Sequence, residues 1–112
     1  MAKKKRVTLP KDFNELLTDG NIDQLKAVYD KCELTAHDGR YSLRTALHFG
    51  GVPDELVIWL VEKGLDINIP DYYGATPLYC QATMGRDTVK LLIELGADIE
   101  KTNTYGNTPL HM

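Results

Sequence analysis

Apolar residues recur three and four positions apart in a succession of short segments, most of them closed by glycine. Phe13, Leu16 and Leu17 share one side of a segment from about Leu9 to Asp19, with Pro10 in its first turn and Gly20 at its end. Asn21 opens the next segment as an N-cap, and Gln24 stands three residues on to complete a capping box. Ile22, Leu25, Val28, Tyr29 and Cys32 then form a stripe for one buried face. These two segments predict an antiparallel helix pair joined at Gly20-Asn21.

The pattern returns downstream. A short helix is expected at about Thr45–Gly50, and Pro53, Asp54 and Glu55 start a dense apolar run, Leu56-Val57-Ile58-Trp59-Leu60-Val61. Its acids lie in the first turn, Lys63 in the last, and Gly64 follows as the stop, matching the helix dipole. Trp59, in the middle of this run, is read as core. The next pair runs Thr76–Met84, breaks at Gly85, and continues over Asp87–Leu95 to a stop at Gly96. Residues 33–44 read as loop. Asp66–Gly74 and Asp98–Gly106 combine brief alternation with turn formers, as in an extended finger rather than a true sheet.

Two phrases repeat. Gly74-Ala75-Thr76-Pro77-Leu78-Tyr79 returns downstream as Gly106-Asn107-Thr108-Pro109-Leu110-His111, and the two copies are 32 apart. A fainter copy, Thr45-Ala46-Leu47-His48, lies upstream, with Thr45 and Thr76 31 apart. Gly64 and Gly96, which close matching apolar helices, are also 32 apart. A period near 33 marks a stack of units, since one helix pair cannot bury its own apolar face.

These residues closely resemble the ankyrin repeat: Gly-Ala-Thr-Pro-Leu-Tyr, then Gly85, then Val89 through Leu95 and Gly96-Ala97-Asp98-Ile99. The resemblance is strongest over residues 64–111, weaker over 38–63, and over 8–37 takes the form of an N-terminal capping unit. It implies an all-α fold, an ankyrin-like solenoid of stacked antiparallel helix pairs joined by extended β-hairpin-like fingers. Residues 1–7 would be a flexible basic leader, 8–37 the capping-like unit, 38–70 and 71–102 two repeats, and 103–112 the start of a further one. Ala46 stands where the family has proline, Tyr79 where it has histidine, and Leu65 where it has alanine. From Asp38 to Thr45 the chain is two residues longer than from Asp71 to Thr76, so the first finger should be irregular. His48 and His111 resemble the family's structural histidine, whose ring bonds to neighbouring backbone.

Composition narrows the function. At 112 residues, 43% hydrophobic and 26% charged, the chain suits one soluble domain. Four basic groups fall in residues 1–6, leaving residues 7–112 with nine basic against 16 acidic groups, a charge of −7. An acidic body makes nucleic acid an unsuitable partner. No apolar run approaches the ~18 residues of a membrane span. Cys32 and Cys80, both at expected helical positions, suit a reducing compartment, and the protein is expected inside the cell, in the cytoplasm. Lys3-Lys4-Lys5-Arg6 reads as a solvated leader, and it also fits a short nuclear-import sequence.

Catalysis finds no support. Ser42 is the only serine and lacks a nucleophile-elbow context, no Cys/His set has zinc spacing, and no phosphate loop occurs. No catalytic residue, cofactor or metal is expected. Tyr73 and Tyr105 hold equivalent places before a finger glycine, Tyr72 adjoins the first, and the resemblance places such residues on a partner-binding side. Gln81, Thr83 and Met84 on the short helix would extend that surface. The expected function is a non-catalytic scaffold that binds a partner protein; the rival reading is an N-terminal regulatory or targeting fragment of a larger multidomain enzyme or effector. Because the phrase breaks off at Leu110-His111-Met112, further repeats or a second chain are expected against the C-terminal face.

Overall fold

The structure, a computed structural model, describes residues 5–39, 41–84, 87–104 and 106. Its elements run β1 (Arg6–Thr8), α1 (Phe13–Asp19), α2 (Ile22–Val28), β2 (Cys32–His37), a 3-10 turn at Ala46–His48, α3 (Asp54–Glu62), α4 (Pro77–Thr83) and α5 (Thr88–Glu94). Among the described residues, five helices and two strands make the secondary structure mostly helical. The molecule is elongated, 44 × 25 × 23 Å. Lys3 and Lys4 of the leader, Gly85 and residues 107–112 lie outside the described residues, so the Gly85 break and most of the further repeat do too.

The chain is not wholly α-helical. β1 pairs in parallel with β2, Arg6 opposite Cys32 and Thr8 opposite His37, with an irregularity between. Arg6 N–H donates to Lys31 O at 2.9 Å, and Lys5 Nζ to Tyr29 O at 3.0 Å, beside this strand pair. Cys32 lies on a strand, not a helix. Its i+3 spacing from Tyr29 mimics a helical stripe, but α2 ends at Val28 and the chain continues into β2, where Cys32 and Ala36 are buried.

Helix ends follow local chemistry closely. Asn21 Oδ1 accepts from Gln24 N–H at 2.8 Å while Gln24 Oε1 accepts from Asn21 N–H at 2.9 Å, closing the expected capping box. Thr76 Oγ1 accepts from Tyr79 N–H at 3.2 Å, and Pro77 occupies the first helical position. The earlier copy has Ala46 in that place and forms only a three-residue 3-10 turn. Gly64 and Gly96 take φ of +112° and +101°. Beyond them Leu65 N–H reaches back to Leu60 O, and Ala97 N–H to Leu92 O, the bonds of a left-handed helix stop. The first helix starts at Phe13 rather than Leu9, because Leu9 N–H bonds to His37 O beside the strand pair.

Units meet through one apolar core. Phe13, Leu17, Leu25, Leu47, Val52, Leu56, Val57, Leu60, Leu78 and Leu92 are buried along its length. Phe13 meets Phe49 edge to face at 5.5 Å. Trp59 is at the rim of this core, half-buried, its ring 5.8 Å from that of Tyr29 and approached by the ammonium groups of Lys26 and Lys63 at 5.8 and 5.7 Å.

Candidate functional site

The finger that precedes α4 is built around one carboxylate. Asp71 Oδ1 accepts from Tyr73 N–H and Ala75 N–H, each at 2.9 Å, while Asp71 N–H donates to Ala75 O at 2.9 Å. Gly74 N–H then closes on Asp71 O at 3.0 Å with φ of +76°. The loop is thus held tightly and presents Tyr72 and Tyr73 at its tip. The preceding finger uses the same device over a longer span: Asp38 N–H donates to Arg44 O, and Asp38 Oδ1 accepts from Arg44 N–H, both at 3.0 Å. Its additional length is accommodated by Leu43, which takes φ of +52°. Among the described residues of this finger, its irregularity includes a left-handed backbone at Leu43.

Neighbouring fingers are zipped side by side. Tyr72 N–H donates to Ser42 O, and Thr104 N–H to Tyr73 O, both at 2.8 Å. This alignment assembles three tyrosines. Tyr41 is 70% exposed, and Tyr72 and Tyr73 are each 52% exposed. The Tyr41 and Tyr72 rings lie 6.3 Å apart at 73°, and the Tyr72 and Tyr73 rings 5.4 Å apart at 83°. Edge-to-face contacts of this kind hold each ring in place while leaving much of it open to solvent.

Of the residues expected on the surface, Tyr72 and Tyr73 are together at a finger tip, and Thr83 and Met84 are exposed at the far end of α4. The length of that helix, about 10 Å, separates its far end from the finger. Tyr105 lies outside the described residues. Gln81 is a correction: it is fully buried, 0% exposed, and its Nε2 donates to Leu47 O and Phe49 O at 2.9 Å each. Those carbonyls sit at the end of the 3-10 turn, where no further helical turn supplies donors, so the amide is drawn inward. Tyr41 carries no repeated phrase of its own, although Tyr41 and Tyr72 are 31 apart, as Thr45 and Thr76 are.

One cluster has the donor set of a metal centre. Single atoms of His48, Asp71 and Cys80 lie within 4.8 Å of one another. The hydrogen bonds argue against ligation. Thr45 N–H faces His48 Nδ1 at 3.1 Å, so that nitrogen is an acceptor and the ring proton sits on Nε2, which donates to Ala75 O at 3.1 Å. His48 therefore links one unit to the next finger, as its family-like role implied. Burial holds its pKa below 6.5, against opposing contributions from the Ala75 carbonyl and Asp71. Burial, followed by the nearby Asp71 charge, pushes the Cys80 thiol up to about 12, so it is not an activated nucleophile.

Among the described residues, no helix is long and apolar enough to cross a membrane. No curated protein matches the chain significantly. The family model for ankyrin repeats, three copies, matches residues 13–103, and the chain belongs to the ankyrin-repeat family.

Proposed function

We propose that this chain is a non-catalytic scaffold, stacked as a short solenoid, that binds a partner protein across its finger tips. Ankyrin repeats generally mediate protein–protein interaction and are typically not enzymes. The observation that carries the reading is the exposed row Tyr41, Tyr72 and Tyr73, spread over two hydrogen-bonded fingers. Tyrosine offers large, rigid contact area at small entropic cost, with a hydroxyl that stays satisfied by water until a partner replaces it. Tyr105 and the exposed Thr83 and Met84 are proposed to extend the surface on either side. An intracellular, cytoplasmic site of action accords with the two unpaired cysteines.

The test is a quantitative affinity capture from cell lysate with the full chain and with a Tyr41→Ala/Tyr72→Ala/Tyr73→Ala variant of matched melting temperature. The variant should lose at least one protein that the parent retains at stoichiometric yield. Equal recovery of every captured protein would remove these tyrosines from the binding surface.

A further inference from the structure

We infer that the cavity between α1 and the first finger is a carboxylate-binding site, with Arg44 and Lys11 as its cationic anchors. The cavity has a volume of about 330 Å³, enough for an amino-acid side chain or a terminal residue, and is lined by Lys11 and Asn14 on one side and by Arg44 and Phe49 on the other. Leu9 and Phe13 contribute to its floor.

Arg44 is prepared for this role. Both its backbone N–H and its C=O are bonded to Asp38, which fixes the root of the side chain. Its guanidinium lies 5.3 Å from the centre of the Phe49 ring, and its Nε is 4.0 Å from Asp38 Oδ2. Among the described residues this is the one ion pair that Arg44 makes, and because it engages Nε at long range it leaves the fork of the guanidinium for a second acceptor. A planar fork stacked on an aromatic face matches a carboxylate bidentately and has little conformational freedom to lose on binding.

Charge selects the ligand class. Among the described residues, two cations and one carboxylate line the cavity, a net charge of +1 within a body of −7. The acids of the first helical unit, Asp12, Glu15 and Asp19, line a separate hollow. A monoanion balances the site; a phosphate dianion overfills it beside Asp38. The apolar floor favours a carboxylate that carries an aliphatic group. This chemistry is found in an acidic side chain next to an apolar residue and in a peptide's terminal carboxylate. Tyr41, Tyr72 and Tyr73 do not line the cavity, so the carboxylate site does not rest on the proposed partner surface.

The test is an amide NMR titration of the full chain with four probes: N-acetyl-leucine, N-acetyl-glutamyl-leucinamide, N-acetyl-leucinamide and inorganic phosphate. Saturable shifts at Asn14, Arg44 and Phe49 are expected with at least one of the two carboxylates, and the tighter one identifies the source. Arg44→Gln should weaken that binding about tenfold, the worth of a charge-assisted bidentate pair. Lys11→Gln, an exposed position that leaves the fold intact, should weaken it about threefold by loss of one exposed charge. The inference is overturned if neither carboxylate saturates the site, if the uncharged amide or phosphate binds as tightly, or if Lys11→Gln leaves affinity unchanged.

Discussion

The side-chain amide of Gln81 donates to the backbone carbonyl of Leu47, in the preceding unit, at 2.9 Å, and the same nitrogen reaches Phe49 O at the same distance. This buried polar side chain thus joins α4 to the 3-10 turn of that unit, beside a mainly apolar core. Gln81→Ala should lower unfolding free energy by about 2–3 kcal/mol, because it removes two buried hydrogen bonds and leaves their acceptors without that donor. Urea denaturation of both proteins would measure it. A loss below about 0.5 kcal/mol, the lower end for a single hydrogen bond, would mean that the amide does not join the units.

His48 makes stability depend on pH. Its folded pKa lies below the ordinary 6.5, so between those two values the unfolded chain binds more protons than the folded one. The contribution is full above about pH 6.5 and declines as pH falls toward the folded value. Melting temperature should therefore drop between about pH 7 and pH 5, and His48→Gln should flatten that slope. An unchanged slope in the variant would assign the pH dependence to other groups.

Gly74 and Gly64 separate two kinds of glycine requirement. Both have positive φ, but a Cβ at Gly74 would come within 2.9 Å of Thr104 Oγ1 and 3.0 Å of Thr104 N, whereas at Gly64 nothing lies within 4 Å. Gly64→Ala should cost about 1 kcal/mol, the conformational penalty alone. Gly74→Ala should cost more, roughly 2–3 kcal/mol, since it also forces apart two zipped fingers. Thermal denaturation of the two variants would rank them, and an equal cost would show that the finger contact yields freely.

Cys80 should be slow to alkylate. With its pKa moved from 9.0 to about 12, the thiolate fraction near pH 8 falls about a thousandfold. Peptide mass spectrometry after brief iodoacetamide treatment should find Cys80 unlabelled in the folded chain and labelled in urea. Rapid labelling of the folded chain would contradict the burial and the Asp71 contact.

How much of this was legible in the sequence depends on the range of each interaction. The capping box at Asn21–Gln24, the Thr76-Pro77 helix start and the left-handed glycines at 64 and 96 rest on partners close by in the chain, and each could be read directly. The repeat interval was equally plain and carried the family. The same interval pointed to Tyr41 as the counterpart of Tyr72, but the longer first finger obscured the match.

What the chain alone settled, then, is the repeat and the ends of its helices, because caps, proline and glycine act on their own few residues. Only the tertiary structure decided that Arg6–Thr8 pairs with Cys32–His37, that Gln81 turns inward, and that Tyr41 meets Tyr72. In each case the deciding partner is distant along the chain: a strand edge in need of donors, two carbonyls at a broken turn, or a finger brought alongside by a backbone bond. Local pattern specifies which elements form, while the unpaired polar groups that those elements bring together determine which side chains remain at the surface.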